Sequence, residues 1–248
     1  MINDGRTDRS AAIVEEYQRT RPWLRLYRNA KNRGPGFNTK VAISLAGKDY
    51  LFSQTVDWSY DIGKLRIFLE LLKHFDAVQG VRPVPIRLMS YIPVLRSIYR
   101  VQRRSDNIQK ALISLGNYYA LRILFGVRFH DFQNVTFYST RRAQELQLVG
   151  RTSFVNPEML LKSYYGGTRF IEVPIRFIPR TQGDPKGTKL KTVLRSVLDT
   201  ARNWIGWGAR LRWLGRALRR RRIFRVAEPF RLDQGVLRLI LPLFEDYS

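Results

Sequence analysis

The chain has no cysteine and only two histidines among its 248 residues. Without cysteine, neither a disulfide framework nor a metal site built on thiolates can form, and His74 and His130 supply the imidazoles available to a metal. A chain of this kind is compatible with a reducing compartment.

The sequence also lacks a long hydrophobic run. No segment approaches the roughly 20 consecutive apolar residues that a helix needs to span a bilayer. The opening segment MINDGRTDRS is polar from its third residue, which does not fit a signal peptide. We therefore expect a cytoplasmic protein that is soluble or peripheral to the membrane.

Acidic residues are scarce, since 20 Asp and Glu stand against 44 Lys and Arg, for a formal net charge of +24. Such a chain attracts polyanions, which include nucleic acids, anionic lipid headgroups and phosphorylated substrates. Composition alone does not choose among the three. The hydrophobic content of 44% and the 12% of aromatic residues indicate a folded chain with a sizeable core.

Helix-like and strand-like patterns alternate over residues 1–180. The apolar run over 49–56 is typical of a buried strand. Residues 169–177 alternate apolar and polar side chains, and Pro174 places that strand at a sheet edge or bulge. The alternation predicts an α/β fold in which parallel strands are flanked by helices.

Two acids, Asp57 and Asp61, follow the strand pattern of residues 49–56. Ligands of open α/β sheets lie at the carboxyl ends of the strands, so Asp57 is expected to point into the ligand crevice. A carboxylate there can hold a divalent cation, which can neutralise a diphosphate. The alternative is that these acids cap the helix beginning at Ile62, and capping suffices for Asp61.

The composition changes near residue 187. Residues 187–225 hold twelve Lys or Arg and a single acid, Asp199. We therefore divide the chain into a domain over 1–186 and a basic tail over 187–248. Apolar residues of the tail recur at spacings of three and four, which predicts a basic amphipathic helix with most arginines opposite its apolar face.

Residues 202–222 combine this spacing with Trp204, Trp207 and Trp213. Tryptophan suits the headgroup boundary and arginine suits anionic lipid, so the segment resembles an interfacial helix. A helix packed against the domain and a nucleic-acid site remain alternatives. Grooves for single strands interleave aromatic and basic residues, whereas these tryptophans segregate to one face, which makes nucleic acid the weaker alternative.

Several short motifs run along the chain in a fixed order, and they include NDGRTD (3–8), TVD (55–57) and GVR (80–82). The other motifs occupy residues 32–52, 103–107, 129–141 and 156–186. In this order they resemble the motifs of the family 2 glycosyltransferases, particularly the dolichyl- and polyprenyl-phosphate sugar transferases. The resemblance implies a nucleotide-binding, Rossmann-like mixed sheet flanked by helices.

The resemblance implies an inverting, hexosyltransferase-type reaction from a nucleotide-sugar donor to a lipid phosphate acceptor, as in the synthesis of cell-envelope glycans. A phosphate oxygen is already anionic at neutral pH and needs little general-base help. The reaction instead requires neutralisation of the departing diphosphate and alignment of the acceptor. Many relatives carry transmembrane helices or dock to membrane proteins, so a membrane-protein partner is a further candidate.

The resemblance also assigns residues to these steps. Asp131 would line the reaction centre and Glu158 would support the acceptor side, as catalytic residues; their structural alternatives are a turn cap and a helix-start charge. Donor binding is implied for Asp4, Gly5, Asp57 and Arg82. Binding of the acceptor phosphate is implied for Arg103, Arg104, Arg180 and Lys186, because arginine makes bidentate contacts with phosphate.

Two features depart from the family. Thr55 replaces the first acid of its Asp-x-Asp motif, so Asp57 is left as the metal ligand and the affinity for Mg²⁺ or Mn²⁺ should be weak. Met1 falls where the family is finishing its second strand, so a first strand and helix are expected to be missing. The alternatives are a misassigned start, a truncated non-catalytic relative that binds nucleotide or a partner protein, and a fragment completed by a partner.

Overall fold

The computed structural model describes residues 1–54, 60–81, 108–132, 135–176, 178, 190–220, 235 and 238. The strands are β1 (Ile2–Asn3), β2 (Tyr27–Arg28), β3 (Tyr50–Leu51), β4 (Ala77–Val81), β5 (Thr136–Ser139) and β6 (Phe170–Pro174). The helices are α1 (Ser10–Gln18), α2 (Pro35–Ser44), α3 (Leu65–Leu71), α4 (Ile108–Phe125), α5 (Thr140–Gln144), α6 (Val155–Tyr165), α7 (Leu190–Asn203), a π segment (Trp204–Gly208) and α8 (Ala209–Arg220).

The larger described sheet has four strands in the order β3-β5-β4-β6. β5 runs antiparallel to both β3 and β4, whereas β4 and β6 are parallel, with Ala77 opposite Phe170. β1 and β2 form a separate parallel pair, in which Ile2 lies opposite Tyr27. The α/β class with a mixed sheet flanked by helices is confirmed, but the parallel arrangement inferred from alternation holds only in part.

The described part of the apolar run, residues 49–54, does not form the buried strand that its composition predicts. Its described strand, β3, has two residues and lies at a sheet edge, where Tyr50 is 38% exposed. β4 is the buried strand instead, because it has a strand on each side and its first four residues are all buried. Among the described strands β6 forms the other edge, which agrees with the edge or bulge position predicted from Pro174.

Three apolar clusters of described residues pack around the sheet. In the first, Phe68 of α3 packs on Phe137 of β5 with ring centroids 4.7 Å apart. The second is aromatic, and in it Phe125 of α4 and Phe154 pack with Trp207 of the π segment. The tail of the chain therefore contributes to a core that the preceding domain also builds.

We call α7, the π segment and α8 together the tail helix (residues 190–220). The indole Nε1 of Trp204 donates to the Leu124 carbonyl at 2.9 Å, and Trp207 is only 9% exposed, whereas Trp213 is 65% exposed. The prediction that all three tryptophans lie at a bilayer boundary is therefore wrong for Trp204 and Trp207. A π turn is wider than an α turn, so it interrupts the spacing from which one continuous face was inferred.

No helix in the described part of the chain is both long enough and apolar enough to cross a membrane.

Candidate active site

Asp4 lies in the turn after β1 and binds the N-terminal end of α2. Its Oδ1 accepts hydrogen bonds from Asn29 Nδ2 at 2.8 Å and from the Arg33 N–H at 2.7 Å, and its Oδ2 accepts one from the Gly34 N–H at 2.9 Å. Partial burial raises the pKa of this carboxyl, but the hydrogen bonds outweigh burial and the pKa is lowered overall. Asp4 is therefore ionised at neutral pH.

Gly5 lets two backbone segments touch at this turn. It has a φ of +66°, and a Cβ there would lie 2.6 Å from the Asn32 nitrogen. Any larger residue would push residues 31–32 away and strain the turn. The structure thus explains the NDG sequence, while the donor-binding roles of Asp4 and Gly5 stay predictions.

A cavity of about 210 Å³ lies between α2, β3, β5 and α6. Apolar side chains from all four elements line it, among them Ile43, Leu51, Tyr138 and Met159. Phe132, directly after Asp131, and Asn156, two residues before Glu158, also line it. The cavity thus borders both segments for which a catalytic residue is predicted.

The sheet fixes the segment that carries Asp131. Asp131 is 8% exposed, and its backbone carbonyl accepts a hydrogen bond from the buried Gln79 of β4. The neighbouring His130 donates its backbone N–H to Glu172 of β6 at 2.9 Å, and His130 Nδ1 lies 2.5 Å from the same carboxylate. Two adjacent strands therefore position Asp131, whose catalytic role stays a prediction.

Glu158 of α6 has no exposed surface. Its carboxylate accepts the N–H groups of Val149 at 3.0 Å and Gly150 at 2.7 Å, and Lys162 Nζ lies 2.7 Å from Oε1. These donors satisfy a charge that would otherwise be costly to bury. The observed contacts are those of a carboxylate that holds a loop, and the predicted role on the acceptor side stays a prediction.

Asp199 of α7 holds the same loop from the other side, a function that sequence reasoning missed. Its Oδ2 accepts the N–H groups of Arg151 and Thr152 and the Thr152 hydroxyl, each at 2.9 Å. Asn203, one turn later, donates to Oδ1 at 3.2 Å. The available signal was the isolation of Asp199 as the one acid among residues 187–225.

The loop of residues 149–152 links these groups to α2, because the Gly36 N–H donates to the Arg151 carbonyl at 3.3 Å. The structure therefore gathers Asp4, Glu158 and Asp199 around this loop and the start of α2. Asp131 is held separately, by β4 and β6.

The remaining predicted site residues lie outside the described residues. They are Asp57, Arg82, Arg103, Arg104, Arg180 and Lys186, and Thr55 of the altered motif lies outside as well. Their roles stay predictions.

Residues 1–139, which are more than half of the chain, match glycosyl transferase family 2. The matched range includes Asp4, Gly5 and Asp131, and it ends with β5. A comparison with curated proteins returned no match. With the mixed α/β fold and the match over most of its domain, the chain belongs to glycosyl transferase family 2.

Proposed function

We propose that the protein transfers a sugar from a nucleotide-sugar donor to a polyprenyl or dolichyl phosphate at the membrane surface. Family 2 membership supports glycosyl transfer from a nucleotide-sugar to an acceptor. The observation that carries the finer proposal is the orientation of the tail helix. In α7 the polar side faces the domain, and apolar and basic side chains face solvent.

The outward side of the tail helix is apolar over three turns. Leu194, Val197 and Leu198 are 57%, 56% and 60% exposed, and Ile205 is 74% exposed. Their spacing places these four residues, which we call the outer stripe, along one side of the helix. Surface helices ordinarily bury such a side against their own domain.

The inward side of α7 is polar instead. Asp199, Thr200 and Asn203 are all buried, at 4%, 8% and 3% exposure. Hydrogen bonds rather than apolar contacts therefore dock α7, which leaves the outer stripe available to a partner.

A row of basic residues borders the outer stripe. Lys191, Arg195 and Arg202 are exposed and follow one another at helical spacing. A bilayer with anionic headgroups fits both rows, because the apolar side chains can enter the acyl boundary while the cations meet the headgroups. A polyprenyl phosphate presents its phosphate at that same boundary.

In the proposed reaction, an oxygen of the acceptor phosphate attacks the anomeric carbon of the donor sugar. The bond from that carbon to the nucleoside diphosphate breaks, the configuration inverts, and the diphosphate leaves with the bonding electrons. We place Asp131 at the reaction centre and Glu158 beside the acceptor. Asp4, Gly5, Asp57 and Arg82 would bind the donor, and Arg103, Arg104, Arg180 and Lys186 the acceptor phosphate.

Enzymes of this family commonly use a divalent cation. In the described ranges, no group of three or more His, Asp or Glu side chains could hold one. Asp4 and Glu158 do not fit such a role, since their oxygens already accept backbone N–H groups. Binding of a cation would depend on Asp57 as a ligand. No step of the proposed reaction is assigned to a cation.

A nucleotide-release assay tests the proposal. The chain is incubated with a panel of uridine, guanosine and thymidine diphosphate sugars and with a short polyprenyl phosphate in anionic vesicles. We expect acceptor-dependent release from one donor. Asp131→Asn should lower the rate by roughly 100-fold or more, because a carboxylate at the reaction centre is lost. Glu70→Gln, which alters an exposed carboxylate paired with Lys73, should leave the rate unchanged.

A second candidate is a non-catalytic relative that binds nucleotide or a partner protein. It is favoured by Asp4, whose carboxylate is already bound by three donors of its own chain, and by Thr55 in place of an acid. Nucleotide binding without release from any donor would support this candidate. Release that needs no lipid phosphate would contradict the proposed acceptor.

A further inference from the structure

We infer that Asp199 of the tail helix is a positioning residue for the donor end of the site. It holds the loop of residues 149–152, the loop holds the start of α2, and the start of α2 binds Asp4. The inference deepens the proposed function, because it rests on Asp4 as part of the donor site.

The first link is a run of backbone N–H groups shared between two carboxylates. Glu158 accepts from the first two residues of the loop 149–152, and Asp199 accepts from the last two. Consecutive amides that point at side chains have no partner in a regular helix or sheet, and a buried N–H must be paired. The shape of this loop therefore depends on one carboxylate from α6 and one from α7.

The second link is direct backbone contact between the loop and α2. A Cβ on Gly36 would lie 2.3 Å from the Gly150 carbonyl oxygen and 2.7 Å from the Arg151 carbonyl carbon. No side chain lies between the two segments to absorb a displacement. A shift of the loop must therefore move the first turn of α2.

The third link is the hydrogen bonds at the start of α2. The N–H groups of Arg33 and Gly34, which immediately precede the helix, are bound by the Asp4 carboxylate. Moving the first turn of α2 changes the orientation of these donors. The position of Asp4 thus depends on Asp199 through three successive contacts.

Asp199 also couples the outer stripe to the series of contacts that leads from Asp199 to Asp4. Leu198 and Asp199 are neighbours in sequence, yet Leu198 is 60% exposed whereas Asp199 is 4% exposed. One turn of α7 thus presents an apolar side chain to solvent and a carboxylate to the loop. A tail helix held at a bilayer would accordingly hold the donor end in its working arrangement.

Asp199→Ala tests the inference. It removes both carboxylate oxygens, so the N–H groups of Arg151 and Thr152 and the Thr152 hydroxyl lose their shared acceptor. We expect amide hydrogen exchange to become roughly tenfold faster over both 149–152 and 33–36, and the affinity for UDP, GDP or TDP to fall about tenfold. The full chain is used, with binding followed by calorimetry.

Asp76→Ala is the matched control. Asp76 also accepts a backbone N–H, from Arg169 at 2.9 Å, and its side chain is 20% exposed. This contact joins the start of β4 to the segment before β6, and neither segment takes part in the contacts between Asp199 and Asp4. We expect the control to lower thermal stability without changing exchange at 33–36 or nucleotide affinity.

Faster exchange confined to residues 149–152 in Asp199→Ala, with unchanged nucleotide affinity, would overturn the inference and reduce Asp199 to a docking contact. If that variant does not fold, Thr152→Val removes one of the three hydrogen bonds between Asp199 and the loop and should give the same pattern with smaller changes. If the unmodified chain binds none of UDP, GDP and TDP, the proposed function fails, and exchange at 33–36 still decides whether Asp199 holds the start of α2.

Discussion

Gly208 lies where the π segment of the tail helix packs directly on Phe125 of α4. A Cβ at this position would lie 2.3 Å from the Cε1 atom of Phe125, whose ring is fully buried. Glycine lowers the stability of an isolated helix. At Gly208 the low helix propensity of glycine is offset by packing, because only glycine lets the π segment approach the aromatic core.

We expect Gly208→Ala to lower the free energy of unfolding by about 1–3 kcal/mol, since a methyl group must displace a packed ring. Gly206→Ala is the matched control, because a Cβ at Gly206 meets nothing within 4 Å. It should leave the stability unchanged or raise it by up to about 1 kcal/mol. Denaturant unfolding followed by circular dichroism measures both, and equal effects would contradict the packing argument.

At this scale, the sequence reveals residues whose partners are close in the chain or in a recurrent motif. Asp4 and Gly5 could be singled out because NDGRTD resembles a motif of the family 2 glycosyltransferases. Asp199 could not be assigned a role, because its amide partners lie 47 and 48 residues away and nothing local encodes them. The packing role of Gly208 could not be predicted either, since its partner Phe125 is on α4.

At the scale of elements, β6 follows from its local pattern, and β3 does not. Hydrophobicity describes how apolar a segment is but not where it lies in the strand order, and β3 lies at an edge. The tail helix shows a related limit. Spacing predicts an amphipathic helix correctly, but the π segment changes which residues share a face. The docked side is polar in α7 and aromatic in the π segment.

The outer stripe predicts how the tail helix binds vesicles. Leu198→Ser combined with Ile205→Ser should lower the partition onto anionic vesicles by at least roughly tenfold, since burying one such side chain contributes about 1.5–3 kcal/mol. Leu45→Ser is the control, because Leu45 is also 57% exposed but lies at the end of α2. Vesicle flotation is the measurement.

The same flotation assay tests the basic row. Binding should weaken when anionic lipid is replaced by neutral lipid, because each Lys or Arg near an anionic surface contributes about 1 kcal/mol. Binding that is indifferent to lipid charge would contradict the role of Lys191, Arg195 and Arg202.

At the scale of the whole molecule, the fold class could be predicted because alternation of helix and strand patterns and an adequate apolar content are global properties. The division into a domain over 1–186 and a tail over 187–248 rests on composition alone and stays a prediction. The charge of the sequence changes abruptly near that boundary. The apolar core, in contrast, includes residues from both sides of it, since Trp207 contributes to the same core as Phe125 and Phe154.

We therefore expect a chain ending at residue 186 to unfold at a lower temperature than the full chain. Removing the tail would expose the aromatic core around Phe125 to solvent. It would also leave the amides of Arg151 and Thr152 without the Asp199 carboxylate. A chain ending at residue 220 keeps these contacts and serves as the control. Equal melting temperatures for all three chains would show that the tail is an independent appendage.

The inverted docking of α7 has a practical consequence for handling the protein in detergent. Detergent micelles replace lipid around apolar side chains, but they do not compete for amide hydrogen bonds. A mild detergent should therefore cover Leu194, Val197 and Leu198 while the contact between Asp199 and its loop persists. Protein purified in this way would keep its tail seated on the domain, whereas a chaotrope such as urea would detach it.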